Sequence, residues 1–154
     1  MQKAKVTLVR FWLKKAQHDL AAARKLAKDL PDIAIYHCQQ GAEKALKGFL
    51  VLHDKDPGST HNISTLVAEA ATIKPELKAQ LSAAGLLSQY NQAYRYPGAP
   101  TEDLNPTPGE LNKAFSLAKQ VYDSVLETMP EEIVGHRQAP SSQEPKSEEE
   151  DLEL

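Results

Sequence analysis

Three tyrosines and an arginine fall together in "YNQAYRYPG", residues 90–98 of this 154-residue chain. Arg95 is a permanent cation whose planar fork matches phosphate oxygens two at a time. Tyr90, Tyr94 and Tyr96 stand beside it, and aromatic faces next to such a cation suit a nucleobase stacked near a bound phosphate. A second polar set recurs at helical spacing in "YHCQQGAEKALKGFL", residues 36–50: Tyr36, Gln40, Glu43 and Lys47. Glu43 and Lys47 are an i, i+4 pair in the favourable order, which on an exposed helix contributes a few tenths of a kcal/mol. This stripe reads as a solvated face that reaches toward the Arg95 end of the fold. Gln40, Glu43 and Lys47 are therefore candidate ligand contacts together with Arg95 and the three tyrosines.

His61 is the imidazole best placed to join Arg95 in chemistry. Metal-free RNA cleavage needs a base for the 2′-hydroxyl proton, an acid for the leaving oxygen and a cation for the developing charge. Histidine serves the first two because its ordinary pKa of about 6.5 keeps both forms available near neutrality. His61 precedes Asn62 at the expected start of a helix, where backbone N–H groups also favour anions. His37 lies near an expected helix contact, His18 on the basic face of the first helix, His53 at the end of a core face and His136 in the tail. Cys38 falls on a core face and reads as inert.

Other chemistries lack their residues. No CxxC or HExxH is present, and the acidic runs sit near the C-terminus, so neither a dedicated metal site nor a cofactor is expected. "DKDPGST" has neither the spacing nor the lysine of a phosphate loop. No apolar run approaches the roughly 18 residues of a membrane span, and a single cysteine suits a reducing compartment, so a cytoplasmic setting is expected. Charge is uneven: residues 1–129 carry 16 Lys/Arg against 13 Asp/Glu, whereas residues 130–154 carry 2 against 8.

The elements that must position these groups are helices. Ala, Leu, Lys and Glu abound, and period-two alternation is absent. A first helix over 7–29 has an apolar stripe of Leu8, Trp12, Ala16, Leu20, Ala23, Leu26 and Leu30. Pro31 interrupts it, and a second helix runs over 33–53. On that helix Ile35, Cys38, Ala42, Leu46 and Phe49 form the core face. Ala34, Gly41, Ala45 and Gly48 make a strip without bulk, suited to a second helix from the same chain or from a partner subunit. A short third helix spans 62–72 and a fourth spans 75–94. A patternless loop covers 95–107, and a fifth helix begins at "TPGE", where Thr107 and Glu110 suggest a capping box. The expectation is an all-α, up-and-down bundle of five helices over residues 1–129, with a disordered acidic tail over 130–154.

Four segments together resemble HEPN domains, the small helical proteins often encoded beside minimal nucleotidyltransferases. "WLKKAQHDLAAARKL" is similar to that family's opening helix and "YHCQQGAEKALKGFL" to its second. "THNISTLV" resembles the short third helix, and "YRYPG" the end of the fourth. Order and spacing agree over roughly residues 10–127. The resemblance implies a bundle that commonly dimerises, a nucleotidyltransferase partner in a toxin–antitoxin-like pair, and nucleotide or RNA as ligand. Many members are metal-free ribonucleases that carry an arginine followed four to six residues later by a histidine. Here Arg95 is followed by Tyr96, Pro97, Gly98, Ala99, Pro100, Thr101 and Glu102, and no histidine appears. Only Arg95 carries over. The leading expectation is thus a non-catalytic or weakly catalytic binding module. The alternatives are a ribonuclease using Arg95 with His61, and an adaptor that docks through its acidic tail.

Overall fold

The structure, a computed structural model, describes residues 1–97 and 103–135. Its elements are helices: α1 (Lys3–Leu26), α2 (Pro31–Leu52), α3 (Ile63–Ile73), α4 (Glu76–Leu81), a 3-10 helix (Ser82–Asn91), α5 (Pro108–Glu127) and α6 (Glu131–Val134). No strand forms among the described residues, and none of the helices there is long and apolar enough to cross a membrane.

The second helix is the axis of the bundle. Pro31 opens it at a position where its missing N–H costs nothing. It then packs against α1, α5, α3 and the 3-10 helix. Ile35, Cys38, Ala42, Leu46 and Phe49 are buried as expected, and so are Ala34, Gly41, Ala45 and Gly48. A helix with neighbours on nearly every side buries nearly every side. The Gly41–Gly48 strip is filled by α1 of the same chain. A Cβ added to Gly41 would lie 3.1 Å from Leu20 Cδ2, and one added to Gly48 would lie 3.1 Å from Trp12 Cβ. The strip is therefore closed to a partner subunit, and glycine serves there because the two helix backbones pass close together.

Three expectations change in register or extent. The buried stripe of α1 runs through Val9, Leu13, Ala16 and Ala23, while Leu8 and Leu30 stay about half exposed, at 47% and 48%. Helix α1 meets both α2 and α5, so its buried arc is rotated from the stripe read as Leu8–Leu30. The expected fourth helix is α-helical only to Leu81 and continues as 3-10 helix to Asn91. Residues 131–134, placed in the tail by composition, form α6 instead. Its Ile133 is buried, and the Arg10 guanidinium donates to the carbonyls of Glu132 and Ile133. The remainder of the expected tail, 136–154, lies outside the described residues.

Helix starts follow the sequence closely. Asn62 accepts from the Thr65 N–H at 3.0 Å and opens α3; Thr107 accepts from the Glu110 N–H at 3.1 Å and opens α5. The second half of the expected capping box is otherwise engaged, because the Glu110 carboxylate accepts from two tyrosine hydroxyls.

Candidate functional site

The Glu43–Lys47 end of the α2 stripe is not solvated, whereas Tyr36 and Gln40 are half-buried. Glu43 is 4% exposed, Lys47 is 5% exposed, and Gln39, which has no place in the stripe, is fully buried. Helices on several sides of α2 close over it, so the groups satisfy one another. Gln40 Nε2 donates to Gln39 Oε1 at 2.7 Å, and Gln39 Nε2 donates to Glu43 Oε1 at 3.1 Å and to the His61 carbonyl at 3.2 Å. Lys47 Nζ reaches Glu43 Oε2 at 3.4 Å. Burying this pair is costly unless hydrogen bonds complete it, and Gln39 and His61 supply them to Glu43. Glu43 and Lys47 are thus withdrawn from direct ligand contact, and Glu43 reaches the surface through His61.

His61 sits at the mouth of this network. Its Nδ1 lies 2.7 Å from Glu43 Oε1, and its side chain is 56% exposed while that of Glu43 is 6% exposed. Facing a carboxylate, Nδ1 carries a proton, and in the neutral ring that leaves Nε2 as the acceptor. A buried carboxylate that fixes the tautomer of an exposed imidazole is the orientation a general base requires.

Arg95 lies elsewhere on the same face. Its guanidinium carbon is 3.9 Å from the ring centroid of Tyr36 and 5.4 Å from that of Tyr96, and it donates to the Asn91 carbonyl. Tyr36 and Glu43 are seven residues apart on α2, which is two turns, or about 10 Å of rise. Arg95 and His61 are anchored to the ends of that interval. Glu43 does not pair with Arg95; it is bound to His61 and Lys47.

The tyrosines divide by role. Tyr90 is 2% exposed, and its hydroxyl donates to Glu110 Oε1 at 2.9 Å. The Tyr94 hydroxyl donates to both Glu110 oxygens, at 3.0 and 2.8 Å. The two rings stack at 6.3 Å between centroids. Burial and the Glu110 carboxylate push the Tyr94 hydroxyl up to about 12 and raise that of Tyr90 as well. Neither hydroxyl is an acid–base group near neutrality. Tyr94 has φ of +67°, uncommon for a tyrosine. This turn ends the helical segment and lets Arg95 fold back over Tyr36, and the two bonds to Glu110 hold it there. Backbone conformations of this kind gather at functional sites. Tyr96, 57% exposed, is the tyrosine with a ring open for stacking.

Sequence reasoning passed over Glu110, which reads as a capping residue, and Asp19. Asp19 is 7% exposed and joins α1 to α2 through His37 Nδ1 at 2.7 Å and Lys44 Nζ at 2.6 Å. It stands three residues after Ala16 and four before Ala23 on the buried arc, and its charge masked that position. Cys38 is fully buried, and desolvation lifts its thiol to about 12, so it is inert. Among the described residues no group of three or more His, Cys, Asp and Glu side chains is placed to hold a metal ion.

A bundle wound around one central helix, with an arginine–tyrosine stack and a carboxylate-oriented histidine along that helix, defines a small all-α domain with one polar edge. The HEPN domain family matches residues 9–129, most of the chain, and the protein belongs to that family. No curated protein and no solved structure matches the chain.

Proposed function

We propose that this HEPN domain is a binding module that takes nucleotide or RNA at its Arg95 edge. In this reading it dimerises and works beside a minimal nucleotidyltransferase in a toxin–antitoxin-like pair. The observation that carries the ligand reading is the Arg95 guanidinium over the Tyr36 ring, 3.9 Å from its centroid, with exposed Tyr96 beside it. Such a stack pre-orients the guanidinium for the acceptor atoms of a nucleotide and offers an aromatic face for a base. Family membership supports the partner and the dimer, which would use a surface other than the glycine strip. The experiment is binding of a fluorescein-labelled single-stranded RNA by fluorescence anisotropy. Arg95→Ala should weaken binding at least tenfold, and Arg95→Lys should not restore it, because an ammonium neither stacks nor forks. Equal affinity of wild type and Arg95→Ala would sink the reading.

A second reading, a metal-free ribonuclease, is favoured by one observation: the 2.7 Å contact that aims His61 by way of buried Glu43. The interval of two helical turns between the anchors of Arg95 and His61 speaks for binding over shared work on one phosphate within a single chain. RNA cleavage in EDTA decides between the two. Cleavage by wild type that is lost in both Arg95→Ala and His61→Ala would establish the ribonuclease. A folded wild type without cleavage would leave the binding module.

A further inference from the structure

We propose that the cleft beside Arg95 is a guanine-selective base subsite; this rests on the reading that the Arg95 edge binds nucleotide or RNA. The cleft, about 440 Å3, lies between the connection from α1 to α2, the first turn of α2 and the segments on either side of residues 98–102. Its volume falls within the range of small-molecule sites. Its lining includes Arg95, Tyr94 and Tyr96, together with Asp29, Asp32 and Asp103.

The balance of charge decides what the cleft suits. Asp29 and Asp32, two carboxylates against one guanidinium, repel a phosphate drawn fully inside and favour a neutral group that offers N–H donors. Arg95 at the same cleft requires acceptors as well. The occupant therefore carries a donor edge and an acceptor edge on one planar frame, and Tyr96 gives that frame a face to stack on.

Among the four RNA bases guanine fits this demand best. Its O6 and N7 form the acceptor pair that arginine takes in a bidentate contact. Its N1–H and N2–H2 lie side by side, as carboxylate oxygens require of a paired donor. Adenine and cytosine offer an amino group with no adjacent ring N–H, and uracil offers a single ring N–H between two carbonyls. In both cases a carboxylate would meet a lone pair or a carbonyl beside the donor. In this arrangement the base enters the cleft and its phosphate stays toward solvent.

The test is isothermal titration of the full chain with GMP, IMP, AMP, CMP and UMP. GMP should bind at least about tenfold tighter than AMP, CMP and UMP, the scale of one bidentate pair. GMP should also outbind IMP, which lacks only the N2 amino group, by at least about fivefold. Asp29→Asn, Asp32→Asn and Asp103→Asn keep side-chain shape at cleft positions, and circular dichroism checks their fold. At least one of them should bring GMP and IMP within twofold. Equal binding of all five nucleotides, a preference for another base, or a guanine preference untouched by all three variants overturns the guanine subsite and leaves the Arg95 edge as a general nucleotide site. Absence of binding by every nucleotide overturns both. The comparison of GMP with IMP on wild type stands without any variant.

Discussion

The residues with most leverage on this molecule are the ones that composition makes look ordinary. Glu43 and Lys47 have the spacing of an exposed ion pair, whose worth is a few tenths of a kcal/mol. Burial changes the scale. Removing one partner of a buried pair leaves an uncompensated charge and costs roughly 3–5 kcal/mol. Glu43→Gln should therefore lower the unfolding free energy by about 3 kcal/mol in urea titrations, and Glu43→Gln with Lys47→Met should recover most of that loss. A loss under about 1 kcal/mol in the single variant would mean that the pair is wetter than its 6% side-chain exposures imply. The same substitution withdraws the acceptor that orients His61, so the stability and the chemistry of this edge are tied to one carboxylate.

At the scale of elements, the contact between α1 and α2 organises everything else. Gly41 and Gly48 bring the two backbones together, and Asp19 clamps them through His37 and Lys44. Gly48→Leu places a branched side chain where even a Cβ meets Trp12 at 3.1 Å. Overpacking of this kind costs about 1–3 kcal/mol, and a urea titration should show a loss in that range. The mass of the folded variant in solution should match wild type, because α1 of the same chain already occupies the strip. A change in mass would place a subunit contact there.

For the molecule as a whole, the alkaline limit is set where the 3-10 segment meets α5. Burial and Glu110 raise the hydroxyls of Tyr90 and Tyr94 above the ordinary tyrosine value of about 10. A tyrosine whose folded-state pKa is raised binds its proton more tightly when folded. The stability this gives is complete below pH about 10 and is lost as pH climbs through the folded value, about 12 for Tyr94. Unfolding free energy should fall between pH 10 and 12, and the fall should be shallower in Tyr94→Phe than in wild type. Parallel curves for the two proteins would show that the Tyr94–Glu110 bonds do not persist in solution.

The sequence by itself determined most of the helices, most of their starts and the family. Caps such as Asn62 and Thr107, the break at Pro31 and the 3.6-residue period are local, and local signals survive without knowledge of neighbours. The grouping of Arg95 with Tyr96 was legible for a related reason: an arginine among aromatics at the end of a helix advertises itself by composition. Tertiary structure alone decided which faces are wet. Periodicity gives the angle of a residue around its own helix but not the number of helices packed around it, so the stripe at Glu43 and Lys47 read as solvent-facing and proved buried. Glu110 acquired its role from Tyr90 and Tyr94, which stand 20 and 16 residues away in the chain. His61 acquired its partner from a helix 18 residues earlier. Contacts of that span leave no period in the sequence, and they set the chemistry of this edge.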